Sequence, residues 1–576
     1  MTTTMLMLAA VASGITHWTV PATGEKMYLP DADPVDGVKE APVMIVMAKE
    51  EYEPGSFILK ADRDYKDKLS FQLGEFKNAE GKVFPKEDLD LKVVKVWYQN
   101  GNAWLSYFQD VKLRLCPELL LNDEDLIRVD EKEVSNYARL TEKDGKTSEF
   151  WLTPPRPVNH RCTEIRQGYH RDEDPFLCMK ENFKDAKTFQ GARLEKDRCK
   201  QFFLTAHATK ATPAGVYKGN IEIKAKNQKL YTVPVAIRVL DFTLPEPKTY
   251  FDLEQDFLTM FCEYSGERFI ATMNGGDEEL AHRQMAAIMK NHIRHGFKIP
   301  TYCYGRHWKK ELEEMGADLR FGLGGYCKLT DACEVRCDVR RQNRINDELF
   351  GRHKGIMTGW GDEYGLGTLR KIRYMIKEYH DAGYIFPINS RYGYDAGANV
   401  ADIFWPPVRP DQDSAELTFK FNQLGKGRWF GWYSNQHVGV ENPSFIRRQY
   451  GFGPYRAGLS CNYNYAHHYN GWNDIAPSLY KPMNLCYGSG DGCIDTIAHE
   501  GMREGLDDIR YATYLKQLAE PLAVSDNTDA RYTARLALKL LADADGDNMD
   551  LTTLRLEMIE WIGKLSKFKN GAVAKK

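Results

Sequence analysis

The sequence contains no long apolar run, and no stretch of it could span a bilayer as a helix, which excludes a polytopic helical membrane protein. Charge of one sign is not in excess either. Lys and Arg number 78 against 81 Asp and Glu, a net charge of −3, so bulk electrostatics give no reason to expect nucleic acid as a partner. There is no G-x-G-x-x-G after a strand, no Walker sequence and no G-x-S-x-G elbow, and nucleotide chemistry and the commonest serine hydrolases lose support accordingly. Tandem repeats and low-complexity tracts are absent. With 43% apolar and 28% charged residues, the chain is neither disordered nor a fibrous rod. Basic residues are missing from the start, since none precedes Lys26. A short apolar run nevertheless ends in Ala10-Val11-Ala12, a small-x-small pattern. Residues 1–20 therefore read as a possible signal peptide or disordered leader, pointing to a secreted or periplasmic location.

The twelve cysteines permit disulfides by their even number without fixing any pairing. Cys327, Cys333 and Cys337 cluster, but not at the paired C-x-x-C spacing of a zinc ribbon. His292 and His295, or His467 and His468, could ligate a metal. Such pairs are more often structural or substrate-facing, and the expectation is no metal and no cofactor.

At 576 residues the chain is too long for one compact domain. Residues 21–245 read as a β-sandwich: short alternating runs at 43–47, 56–60, 91–97, 201–206, 219–225 and 231–239 are separated by turn residues. Within it, residues 122–200 are polar and weakly periodic, and are expected to form a loop-rich insertion. A linker with two prolines follows at 241–250. From residue 246 to 576 the rhythm alternates. Helical periods at 278–295, 332–350, 366–382, 414–424 and 443–450 are interleaved with strand-like runs at 251–264, 298–304, 319–326, 356–360, 384–389, 402–405, 428–433 and 459–465. That pattern predicts a (β/α)8 TIM-like barrel with a helical C-terminal tail over 500–541 and 551–568.

Trp360-Gly-Asp-Glu-Tyr-Gly365 falls where the strand 356–360 ends and a helix begins, at the barrel rim where active sites are built. Beyond the strand, Asp362 and Glu363 can both lean over the mouth. A glycosidic oxygen leaves only when protonated, and the anomeric centre needs a nucleophile or negative charge beside it. Two carboxylates about 5–5.5 Å apart on opposite faces of a sugar serve the usual retaining mechanism. Adjacent residues suit substrate assistance better, in which the sugar's own 2-acetamido oxygen attacks. Glu363 would be acid and then base, and Asp362 would orient the acetamide. The plainer alternative is an acidic pair stabilised by the dipole of the following helix.

The chain also resembles glycoside hydrolase family 123 and its broader glycoside-hydrolase-domain relatives. The likeness runs through Lys49-Glu-Glu-Tyr-Glu-Pro-Gly-Ser-Phe57, Cys116-Pro-Glu-Leu-Leu-Leu121, Lys200-Gln-Phe-Phe-Leu-Thr-Ala-His207 and Pro213-Ala-Gly-Val-Tyr-Lys-Gly-Asn-Ile221. It continues through Leu485-Cys-Tyr-Gly-Ser-Gly-Asp-Gly-Cys-Ile494 and Glu500-Gly-Met-Arg-Glu-Gly-Leu-Asp-Asp-Ile-Arg-Tyr511. The resemblance implies a sandwich followed by a (β/α)8 domain. It also implies retaining, substrate-assisted hydrolysis of terminal β-linked N-acetylgalactosamine by an Asp-Glu pair after the fourth strand, which Asp362 and Glu363 match. A proline commonly follows that pair, and Tyr364 stands there instead; Ala498-His499-Glu500 is a second departure.

The 31 Tyr, 27 Phe and 11 Trp supply faces on which a sugar can stack. The rim candidates are Tyr302, Tyr304, Trp360, Tyr364, Tyr392, Tyr394, Trp432, Tyr433, Tyr463, Tyr465 and Trp472, with Tyr433 or Tyr463 as holders of an acetamide carbonyl. Polar partners are Asn389, Arg391, Asp395, Asn435, His437, Asn462, Asn464 and His467. The acidic and basic positions of 500–510, at i, i+3 and i+4 spacing, read mostly as a solvated helix face. The partner expected is a glycan, with no nucleic acid and no membrane span; the sequence leaves the oligomeric state open. Two other functions remain compatible: a glycosidase for a non-acetamido sugar, with Asp395 or Glu441 as second carboxylate, and a non-catalytic carbohydrate-binding protein.

Overall fold

The computed structural model describes residues 14–100, 113–152, 180–263, 266–301, 303–323, 332–357, 361–362, 364–390, 402–404, 429–434, 442–468, 472 and 484–573. Two large sheets share one apolar core in the first part of the chain. One runs in the order Val38–Lys39, Ile15–Val20, Glu51–Ala61, Cys199–Ala208, Leu89–Asn100, Leu113–Leu121; the other runs Ala192–Leu194, Tyr65–Leu73, Gly215–Ala225, Gln228–Thr243, Val43–Lys49. Period-2 alternation explains the core. Val43, Ile45 and Met47 are buried from one sheet and Phe57, Leu59, Phe202 and Leu204 from the other, with the Phe57 and Phe202 rings stacked at 5.1 Å. All six runs read as strands in this region lie within these strands.

Two expectations for the region change. Ile15–Val20 is not leader: it is a strand paired along its length with Glu51–Ala61, with Ile15 and Val20 buried. The stretch 122–200 is not all loop. It carries a three-stranded antiparallel sheet of Ile127–Asp130, Ser135–Thr141 and Thr147–Trp151. The last of these strands reads Thr-Ser-Glu-Phe-Trp and exposes most of its length, so no apolar alternation announces it.

The second part is built on a six-stranded parallel sheet in the order Leu258–Glu263, Cys461–His468, Trp429–Ser434, Ile403–Phe404, Pro387–Asn389, Gly361–Asp362. The first strand lies beside the last, as closure of a barrel requires. Among the described residues the sheet is a half-barrel, since 297–301 and 319–323, where two more strands were expected, form no ladder. The expected strand 298–304 includes Tyr304, whose ring is buried among helices and whose hydroxyl donates to the Met285 carbonyl at 2.9 Å. Helices Glu278–Arg294, Ala332–Phe350 and Leu366–Asp381 match the periods read from the sequence; the helix expected at 414–424 lies outside the described residues. Three helices, Ile497–Leu522, Thr528–Asp543 and Leu551–Val573, close the chain. No helix among the described residues is long and apolar enough to cross a membrane.

Ile497–Leu522 is the hub of the molecule. The glycines of its sequence let it touch other backbones: a Cβ on Gly501 would lie 2.4 Å from the Pro443 carbonyl oxygen, and one on Gly505 2.5 Å from that of Arg447. Its charged residues are not a solvated face. Glu500, Arg503, Glu504, Asp507 and Asp508 are all buried. Arg555 from the last helix donates to Asp508 at 2.7 Å, to Glu504 at 2.6 Å and to Glu53 of the sandwich at 2.7 Å. Arg447 grips the Asp508 carboxylate with two bonds of 2.7 and 2.8 Å. Arg510 donates to Asp507 at 2.6 Å, and the Tyr511 hydroxyl donates to Glu51 at 2.7 Å. Buried charges persist only when paired and hydrogen-bonded, and here the pairs join segments from both ends of the chain. Carboxylates crowd the hub, so some stay protonated. Burial, reinforced by Asp507, pushes Glu51 up to about 8, and burial with the neighbouring Glu504 carboxylate raises Glu53 as well.

Candidate active site at the parallel-sheet edge

Asp362 is the last residue of its strand, in register with Asn389, while Gly361 pairs with Ile388. All strands of the sheet run the same way, so the C-terminal ends of all of them lie along one edge. Ile388 belongs to the buried cluster that includes Leu369, Ile372 and Ile376 of the helix Leu366–Asp381. One residue on, strand alternation places Asn389 and position 362 on the opposite, inner face. The chain then passes through Tyr364, whose carbonyl accepts a 2.6 Å hydrogen bond from the Ser390 hydroxyl. It enters the helix at Gly365, an N-cap in extended conformation with no side-chain cap of its own. The strand end and the helix start are thus tied together across two neighbouring strands, and the tie brackets position 363.

The inner face continues through the other strands. Tyr433 and Tyr463 are register partners, as are Met260 and Tyr463, so all three positions share a face. Tyr463 is buried in a cluster with Leu258, Met260 and Ile403. Asn462 and Asn464 lie on the other face and hold the helix layer: Asn462 donates to the Tyr450 carbonyl at 2.5 Å, and the Tyr450 hydroxyl donates to Asn464 at 3.1 Å. Trp432 is the register partner of Asn462.

The remaining sequence candidates divide three ways. Glu363, Trp360, Tyr302, Tyr392, Tyr394, Asp395, Asn435, Arg391, His437 and Glu441 lie outside the described residues. For Asp362, Trp432, Tyr433 and Tyr465 the backbone position is described and the side chain is not. Tyr364 is partly buried against the Leu366–Asp381 helix cluster. Trp472 has no exposed face to offer a sugar: it packs in the sandwich core against Phe183 at 4.9 Å and Tyr487 at 4.7 Å, and its indole N–H donates to the Gly488 carbonyl at 2.6 Å. His467 is likewise fully buried, with its ring 3.8 Å from that of His292 and 3.4 Å from the Cys486 sulfur.

His467 belongs to a group the sequence only half disclosed. His292 and His295 of helix Glu278–Arg294 meet His467, His499 and the carboxylates of Asp495 and Glu500 in one buried chamber. Burial holds His292 well below the usual histidine range and, with His295 alongside, brings His499 down to about 4. Burial alone would raise Glu500, but Arg503 and His295 outweigh it and hold the carboxyl at about 2. The signal available was two local spacings, His292/His295 at i, i+3 and Asp495/His499 at i, i+4, far apart along the chain.

No protein-family model matches this chain. No curated protein matches it. Solved structures do. A family 123 glycoside hydrolase from Clostridium perfringens, described for its hydrolysis of glycolipid glycans, superposes with a TM-score of 0.62 at 12% identity, over 97% of this chain and 99% of that one. The fold is shared across nearly the whole of both chains. A Bacteroides ovatus family 5 xyloglucanase aligns at a TM-score of 0.23 and 10% identity, over 55% of this chain and 91% of that one, and carries no argument. The likeness to family 123 first read from short motifs therefore extends to the full architecture.

Proposed function

We propose that this protein is a glycoside hydrolase whose acid–base residue is Glu363. The observation that carries the reading is the position of Asp362: the final residue of a parallel strand, on the inner face by its register with Asn389, one residue before Glu363 and three before a helix N-cap, in the fold of a family 123 glycoside hydrolase. Adjacent carboxylates are poorly suited to flank a sugar ring from opposite sides, which favours the substrate's own 2-acetamido oxygen as nucleophile. Glu363 protonates the departing glycosidic oxygen. The acetamido oxygen closes on the anomeric carbon, and Asp362 holds the acetamide N–H and balances the positive charge of the cyclic intermediate. Glu363 then takes a proton from the water that reopens it, and the anomeric configuration is retained. A terminal β-linked N-acetylgalactosamine is the favoured substrate. On this reading Asn389 binds a ring hydroxyl, and Tyr433 or Tyr463 the acetamide carbonyl.

The test is hydrolysis of a chromogenic β-N-acetylgalactosaminide and the matching β-galactoside, with the natural disaccharide alongside, by wild type and Glu363→Gln. Release from the acetamido sugar alone is expected, with turnover of the disaccharide falling roughly 10²–10⁴-fold in the variant. Turnover of the plain galactoside would overturn substrate assistance and point to a carboxylate across the pocket. Binding of glycans without turnover of any would overturn the enzyme reading.

A further inference from the structure

We propose that His295, Asp495, His499 and Glu500 form a closed structural site for a zinc-class divalent ion, at the joint between the helix Glu278–Arg294, the hairpin Cys486–Asp495 and the first turn of the hub helix. It does not depend on the proposed reaction. One nitrogen, one carboxylate oxygen and one further nitrogen from His295, Asp495 and His499 lie within 4.8 Å of one another, all on buried residues.

The hydrogen bonds set the tautomers. His295 Nδ1 lies 2.8 Å from the Asn291 carbonyl, which can only accept, so Nδ1 carries a proton and Nε2 is the nitrogen left to bind an ion. His499 Nδ1 faces an Asp495 oxygen at 3.2 Å, which leaves its Nε2 as the lone-pair nitrogen. Neither Nε2 has a hydrogen-bond partner, although both rings are wholly buried. An imidazole oriented by a carbonyl or carboxylate, with its other nitrogen bare, is the usual preparation of a metal ligand.

The spacing fits a small ion. Bonds of about 2.0–2.2 Å in a tetrahedron place ligand atoms about 3.3–3.6 Å apart. His295 Nε2 is 3.4 Å from Glu500 Oε1 and 4.0 Å from Asp495 Oδ1. Arg503 pairs with the other Glu500 oxygen, Oε2, and leaves Oε1 turned to His295. The His295 and His499 rings stack at 3.6 Å with planes 13° apart. Convergence on one ion requires one ring to turn about its Cβ–Cγ bond. His499 is that ring, because the 2.8 Å bond to the Asn291 carbonyl anchors His295 more closely than the 3.2 Å contact with Asp495 holds His499. Two imidazoles and two carboxylates select zinc or a neighbouring transition ion over calcium or magnesium, which take all-oxygen sites. Because every one of these groups is buried, with no opening to solvent, the role is structural rather than catalytic.

The experiment measures metal in the purified full-length chain by elemental mass spectrometry, after a chelator wash and reloading with zinc and, separately, cobalt(II). One zinc per chain is expected in the wild type. Content should fall more than tenfold in His499→Gln and in Asp495→Asn, and remain at one per chain in His353→Gln. The cobalt-loaded wild type should show the intense visible bands of a tetrahedral ion, which requires no variant to fold. Wild type that retains neither metal, or variants that bind zinc as fully as wild type, would overturn the site.

Discussion

The end of the strand Gly361–Asp362 and the first half of the hub helix Ile497–Leu522 are both acidic and both carry glycines, yet they serve opposite purposes. At the strand end one backbone register and one serine hydroxyl fix the chain on either side of position 363 at a sheet edge. In the hub, Glu500, Glu504, Asp507 and Asp508 are all buried, and arginines from other segments or other turns hold them. The hub carboxylates join segments and are held by arginines, whereas the pair at the strand end is the one proposed for proton transfer. The difference teaches that an acidic pair beside glycines acquires its role from what packs on it, not from its own spacing.

That contrast can be broken most severely at Arg555. Arg555→Met leaves Asp508, Glu504 and Glu53 facing one another in the interior, and a loss of about 3–5 kcal/mol in urea unfolding is expected. Asp362→Asn should do the reverse. Turnover of the acetamido substrate should fall roughly 10²–10³-fold, with the urea midpoint unchanged. Gly505→Ala puts a methyl 2.5 Å from the Arg447 carbonyl and should cost about 1–3 kcal/mol by the same unfolding measurement. A methyl on Gly563 of the last helix would meet nothing within 4 Å, so Gly563→Ala should instead stabilise, by about 0.5–1 kcal/mol.

Glu51 sharpens the comparison through pH. Its folded-state pKa, about 8, lies above the ordinary value of 4.5, so the folded chain binds the extra proton between them. Its contribution to stability is complete below about 4.5 and is lost as pH rises towards 8, with a slope of at most about 1.4 kcal/mol per pH unit. Glu51→Gln should flatten that decline in unfolding free energies measured between these two values. An unchanged slope would show that Glu51 is ionised in the fold.

Much of this architecture was legible in the sequence. The helices 332–350 and 366–381 and the sandwich strands follow apolar periodicity, which is local information. The same rhythm put the strand at 356–360 with Asp362 beyond its end, whereas Asp362 is itself the last residue of the strand Gly361–Asp362. The hub did not, because Arg555 is 47 residues from Asp508 and 502 from Glu53, and a charged i, i+4 stripe looks the same whether water or a distant arginine faces it. The sign that was available is Gly501 and Gly505 on that stripe, since small residues four apart mark a face where another backbone comes close. Trp472 and His467 misled for a related reason: a ring after a strand near the barrel rim can turn into the sandwich or the helix layer as readily as into a pocket, and here the hairpin Cys486–Asp495 carries the chain back against the sandwich.

The central claim is that chemistry resides at the strand end and cohesion in the hub. The most direct test is to measure turnover of the β-N-acetylgalactosaminide disaccharide and the thermal midpoint on the same preparations of wild type and Glu363→Gln. The expected result is turnover lost by at least about a hundredfold with the midpoint unmoved. Full turnover in Glu363→Gln would contradict the account.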